Sequence, residues 1–212
     1  MYKRKRGVCH YRNNGDEDEE YGNELDKNAF VKCEDNHIYF YGDVNTQNIL
    51  VLNLFIRQLN TLLLNTKADI NHRFSCDANL CIYLHINSVG GSVFDSLGSV
   101  DTIINSKIPI VSIIEGCAAS AATFLSIVCN KRQITKHSSM LIHQLSSSSW
   151  GTYEQIKDEY DNCTYLHKTI VKLYMEHSNG KLDEKKLNKC LKRDIWWDAD
   201  KCKKLGLVDE IV

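Results

Sequence analysis

The nine cysteines of this 212-residue chain never fall into a C-x-x-C pair. Thiols scattered singly argue against a zinc site and for a reducing, cytoplasmic setting. The formal net charge is only −1, so there is no general electrostatic reason to expect nucleic acid or an anionic membrane as a partner. No apolar run approaches the ~20 residues that a bilayer-spanning helix needs. No apolar stretch near the N-terminus has the form of a secretory signal. Proline occurs once, at position 109, and with abundant Asn, Lys and Ile that scarcity points to an AT-rich genome. What is present is ordinary for a soluble globular protein. Hydrophobic residues make up 43%, in a chain long enough to bury a substantial core as one domain.

Residues 1–28 differ in kind. The basic cluster Lys3-Arg4-Lys5-Arg6 is followed by the acidic cluster Asp16-Glu17-Asp18-Glu19-Glu20, with almost nothing apolar between them. Such a segment buries too little surface to offset its ordering entropy and is predicted to be a disordered tail. Its acidic run counts against an organellar transit peptide. The basic four read as a solvated tail in preference to a nuclear address or a pore-rim feature. The folded domain is expected over 29–212.

That domain alternates strand and helix patterns. Asn36–Gly42 is an aromatic-rich strand ending at glycine. From Thr46, read as an N-cap, to Leu64, apolar residues recur at helical spacing. Residues 65–79 are polar and patternless, and are expected to form a surface loop. Cys81–Ile86 is the next strand, and Val93, Leu97, Val100 and Ile104 mark a helix just after Gly90-Gly91. Behind Pro109 runs the buried strand Ile110–Ile114, and small residues then lead into the apolar Phe124–Val128. Cys129 and Cys163 read as buried thiols. The alternation is that of an α/β domain with a mainly parallel sheet.

The chemistry gathers at the strand-to-helix turns. In Gly116-Cys117-Ala118-Ala119-Ser120-Ala121-Ala122, tiny residues leave one side chain, Ser120, at the mouth of a helix. The helix N-terminus there offers partial positive charge and free N–H groups. A serine hydroxyl needs a base, and His143 ends the apolar strand Met140–Ile142. Cys117 is a rival nucleophile, three residues too early to reach the helix mouth. A backbone N–H at Gly90-Gly91 can face a developing oxyanion, because a missing side chain permits close approach. Each feature alone has a bland reading: a helix cap, a structural histidine, a tight turn. A third group to orient the imidazole is sought among Asp183, Asp194, Asp198, Asp200 and Asp209. Asp183 reads as a helix cap, and Asp209 as a solvent-facing residue of a terminal strand. Asp194 stands in a short link beside Ile195, Trp196 and Trp197, which are expected to desolvate it.

Ile86-Asn87-Ser88-Val89-Gly90-Gly91-Ser92, Gly116–Ala122 and Leu141-Ile142-His143-Gln144 resemble, in order and spacing, the proteolytic subunit of Clp protease (ClpP). The resemblance extends over roughly residues 36–212. It implies a ClpP/crotonase-like spiral of βαβ units with a handle helix, the handle being at about 145–178. It implies a catalytic Ser120, His143 and Asp194, with oxyanion donors at the N–H groups of Gly91 and Ala121 and no cofactor or metal. It also implies unfolded polypeptide substrates, a homo-oligomer of stacked heptamers and a hexameric Clp ATPase as feeder. Three departures stand out. Val89 replaces the usual proline, the 145–151 segment is serine-rich where glycine is common, and residues 65–79 form an insertion. The chain also ends at Val212, without the short tail that in the family helps form the ATPase docking cleft. This keeps open a stand-alone peptidase or one built into a viral prohead. A catalytically silent ring subunit and a crotonase-like acyl-CoA enzyme are the other readings.

Overall fold

The computed structural model describes residues 30–74 and 78–212; the predicted charged tail lies outside the described residues. The order of elements is β1 Val31–Glu34, β2 His37–Phe40, α1 Thr46–Phe74, β3 Ile82–Ser88, α2 Val93–Ile104, β4 Ile110–Ala119 and α3 Ala122–Ile127. There follow β5 Lys131–Ile134, β6 Ser139–Leu141, α4 Tyr153–His177, α5 Glu184–Leu191, β7 Trp197–Asp198, α6 Ala199–Leu205 and β8 Glu210–Ile211. The strands form one sheet in the order β1-β2-β3-β4-β5-β8, with β6 pairing β4 and β7. Pairing is parallel except for β1 with β2 and β6 with β7. This is the mixed α/β architecture expected from the alternation.

The sheet is two-sided in composition. Ile38, Phe40, Ile82, Leu84, Ile86, Ile110 and Ile114 are buried in one phase and join Leu52 and Ile56 of α1 in a single hydrophobic cluster. Truncating a fully buried member such as Leu52 to alanine costs about 2–5 kcal/mol. In the opposite phase stand His37, Tyr39, Tyr83 and His85, whose rings stack with centroids 4.5–5.2 Å apart across β2 and β3.

Helix α1 corrects three expectations. Residues 65–74 continue the helix to Phe74 where a loop was predicted. The stretch lacks glycine and proline, Thr66 Oγ1 bonds back to Leu62 O, and His72 and Arg73 stand in the last turn against the dipole. Its largely exposed surface erases the apolar stripe that would have announced it. The cap also moves by one residue: Asn45 Oδ1 accepts from Asn48 N at 2.9 Å, whereas Thr46 is inside the helix and its hydroxyl donates to Asp95. Finally, α1 is by length and composition long and apolar enough to cross a membrane, with 22% of its most apolar window buried. Its core face, Ile49, Leu52, Ile56 and Leu59, packs in the domain.

Helix α4 opens with a capping box between Thr152 and Gln155. Its apolar residues divide into two groups. Ile156 and Tyr160 are exposed, while Ile170, Leu173 and Tyr174 are buried. Asp209 is another correction. The residue predicted to face solvent pairs with the buried Arg132, whose guanidinium also donates to the carbonyls of His177 and Gly206. One arginine thus gathers the ends of α4 and α6 onto β5.

Candidate active site

Strand β4 forks at Gly116. Its first half pairs with β5 through Val111–Ile114, and its second half pairs with β6 through Cys117–Ala119. Gly116 has φ +86°, and a Cβ there would lie 2.9 Å from Asn87 Oδ1, so glycine alone suits the fork. The change of partner brings the end of β6 beside the end of β4. Ser120 N–H then donates to Leu141 O at 2.8 Å, and two residues further on stands His143.

Ser120 itself has φ +53°. For a residue with a Cβ the left-handed region costs about 1–2 kcal/mol, so the surroundings must over-determine it. They do so through the Leu141 carbonyl on its N–H and Thr123 on its carbonyl. Gly90 leaves the required space, since a Cβ there would lie 2.8 Å from Ser120 Cβ.

The serine Oγ lies 2.8 Å from His143 Nε2, and His143 Nδ1 lies 3.2 Å from Asp194 Oδ1. The carboxylate beside Nδ1 favours the tautomer that carries its proton there, which leaves the Nε2 lone pair facing the hydroxyl, the arrangement in which an imidazole can accept its proton. His143, 23 positions beyond Ser120, and Asp194, a further 51 positions on, are thus brought to one hydroxyl. Gln144 N–H, bonded to Leu191 O at 2.7 Å, ties the histidine segment to the end of α5 from which the Asp194 link departs. Asp194 corrects one expectation: its side chain is 76% exposed, and Ile195 and Trp196 are exposed beside it. The link turns Ile195 and Trp196 outward, while Trp197 pairs with Met140 and packs against the core, and the carboxylate is left in water.

Gly91 and Ala121 occupy facing turns. Val44 N–H donates to Gly90 O and Val44 O accepts from Ser92 N–H, which pins the Gly90–Ser92 segment from one side. Neither Gly91 N–H nor Ala121 N–H donates to a backbone carbonyl among the described residues. Val89 is 63% exposed and adds nothing to this enclosure. Of the other carboxylates considered, Asp183 and Asp198 cap α5 and α6, Asp200 lies in the first turn of α6, and Asp209 holds Arg132. Cys117 stays in β4, hydrogen-bonded to Asn87 and Ser88, and burial pushes its thiol above the usual range against a small opposing effect of the Ser88 backbone. It is poorly placed and poorly ionised. No group of three or more metal-binding side chains suited to a metal ion occurs among the described residues.

Two groupings escaped the sequence reading. One is the chain of contacts His37–His85–Glu115–Tyr41 on the open phase of the sheet, at 2.8 Å between the histidines and 2.9 Å to Glu115. Its signal is the two-residue spacing of 37, 39, 41 and of 83, 85. The other is the pair Thr123–Tyr174, which no local pattern links.

Comparison with known proteins gives the family. A profile of the Clp protease family matches residues 34–212. The ATP-dependent Clp protease proteolytic subunit 2 of a Synechococcus species is 31% identical over 135 residues, 62% of this chain and 66% of that protein. Proteolytic subunit 1 of Streptomyces coelicolor is 30% identical over 138 residues, 64% of this chain and 62% of its own length. The corresponding subunit of Bacteroides fragilis is 30% identical over 148 residues, 69% of this chain and 70% of its own. The chain thus spans slightly less than two thirds of the Synechococcus and Streptomyces relatives it matches. A match over most of the chain, together with a forked strand that joins the serine and histidine turns, establishes that it belongs to the Clp protease family.

Proposed function

We propose that this chain is a serine endopeptidase of the ClpP type, acting on unfolded polypeptides. The observation that carries the reading is the unbroken line from Asp194 through His143 to Ser120 Oγ, at 3.2 and 2.8 Å. Ser120 Oγ attacks the scissile carbonyl while His143 Nε2 takes its proton. The tetrahedral oxyanion rests on the N–H groups of Gly91 and Ala121. The imidazolium, oriented and stabilised by Asp194, gives its proton to the leaving amine. Water then attacks the acyl-enzyme by the same route in reverse, and Ser120 is regenerated. These steps need no cofactor or metal.

The relatives are by name ATP-dependent proteolytic subunits. On that support the chain works as a homo-oligomer of stacked heptamers, fed by a hexameric Clp ATPase, in a reducing cytoplasm. The exposed first half of α4, with Ile156 and Tyr160, supplies apolar surface of the kind a handle contact would cover.

The test is intact mass after fluorophosphonate treatment of the wild type and of Ser120→Ala. One adduct on the wild type and none on the variant is the expected outcome. No adduct on folded, assembled protein would sink the peptidase reading in favour of a silent ring subunit.

A further inference from the structure

Helix α4 reaches the serine turn through two hydroxyl groups. Tyr174 OH lies 2.5 Å from Thr123 Oγ1, and Thr123 Oγ1 lies 2.5 Å from the Ser120 carbonyl oxygen. Thr123 and Tyr174 are 0% and 1% exposed, so water does not compete. The Ser120 carbonyl accepts only, so the threonine proton points to it. Having a single proton, Thr123 must then accept from the tyrosine. Burial raises the Tyr174 phenol well above its ordinary range, and Thr123 offsets only part of that rise, so the phenol remains a donor. The direction is therefore fixed: Tyr174 O–H to Thr123 Oγ1, Thr123 O–H to Ser120 O. Thr123 N–H donates to the same carbonyl at 3.0 Å.

That carbonyl belongs to the peptide unit whose other end is the N–H of Ala121. The unit is planar and trans, so clamping its oxygen fixes where the N–H points. Hydrogen bonds accepted by a peptide carbonyl also polarise the amide and strengthen the bond its N–H donates. We infer that Thr123 and Tyr174 are positioning residues of the oxyanion hole, aiming and polarising the Ala121 N–H through the Ser120–Ala121 peptide plane. The inference rests on the peptidase reading above. It adds that the hole is built partly from α4, two hydrogen bonds away from the peptide that bears the donor.

The test follows the rate of Ser120 modification by an alkyl fluorophosphonate, separated into the maximal rate constant kinact and the apparent binding constant KI. Thr123→Val keeps shape and removes the hydroxyl, Thr123→Ser retains it, and Tyr174→Phe removes one oxygen. A donor weakened in place costs less than the 10²–10³-fold of a donor removed. The expected kinact therefore falls about tenfold in Thr123→Val and about threefold in Tyr174→Phe, with KI within twofold of the wild type. Thr123→Ser returns to within twofold in kinact. A general loosening of the fold would move KI and the thermal midpoint with kinact, and that result overturns the inference. Wild-type kinact in Tyr174→Phe overturns it too, even where Thr123→Val does not fold. No label on the wild type removes the peptidase reading and this inference with it, a result distinct from equal labelling of wild type and variants.

Discussion

Gly90 and Ser120 are packed against each other: a Cβ added at Gly90 would lie 2.8 Å from Ser120 Cβ and 2.6 Å from Ala119 O. Gly90 also has φ +101°, where side chains are strained. Gly90→Ala is therefore expected to destabilise the protein by about 2–4 kcal/mol. It should also slow fluorophosphonate labelling at least about tenfold, because the serine must move. Urea unfolding and labelling rates check both; an unchanged rate would mean the turn yields without shifting Ser120.

The exposure of Asp194 predicts a moderate dependence on its charge. Where a buried aspartate orients the imidazole, its amide replacement costs about 10⁴-fold. Here the carboxylate is 76% exposed and is screened by water. Asp194→Asn is expected to lose about 10²–10³-fold in the labelling rate. A loss below about tenfold would leave Asp194 without the orienting role.

Arg132 and Asp209 set a dependence on acid. Burial raises the Asp209 carboxyl, but the hydrogen bonds and charge of Arg132, with Asn179, outweigh it and hold the group below its ordinary value. A carboxyl with a depressed folded pKa adds stability above its unfolded value of about 4, and that contribution is lost as pH falls through the folded pKa. Arg132→Met should cost about 2–4 kcal/mol at neutral pH, since a charge is left unpaired and two carbonyls lose a donor. The variant should also lose less stability than the wild type on going from pH 5 to pH 3. Denaturant titrations at the two pH values give the comparison.

A second window lies near neutrality. Desolvation, then the neighbouring His85, lowers the His37 pKa, with Asp35, Glu34 and Glu115 opposing. A histidine whose folded pKa lies below its unfolded one binds fewer protons folded than unfolded. Stability is therefore fully present above about 6.5 and falls as pH drops through the folded pKa. His37→Gln should flatten the decline in urea midpoint between pH 7.5 and pH 5.5. Parallel declines in both proteins would remove the His37–His85 contact as its source.

Local chemistry made much of this protein legible. Alternation of apolar strands with helical stripes announced the α/β class, because the period of burial is set by the backbone. Ser120, among alanines after a strand, and His143, at the end of another, were visible for the same reason. The cap position of Asp183 obeyed short-range rules, and that of α1 was missed by one residue. Residues 65–74 failed to show as helix because a solvent-facing turn needs no stripe, and Asp209 failed to show as an ion pair because Arg132 lies 77 positions away.

The sequence by itself determined the strand–helix order from β2 to α3, the small-residue turns and the residues able to take part in chemistry, since each depends on neighbours within a few positions. Only the tertiary structure decided which of them meet. The fork at Gly116 gives β4 two partners and thereby carries His143 to Ser120. The open link beyond α5 leaves Asp194 in water. The buried hydroxyl pair sets α4 against the Ser120 carbonyl, 51 positions from Thr123 to Tyr174. Contacts at such separations follow from how whole layers pack, and no pattern read along the chain contains them.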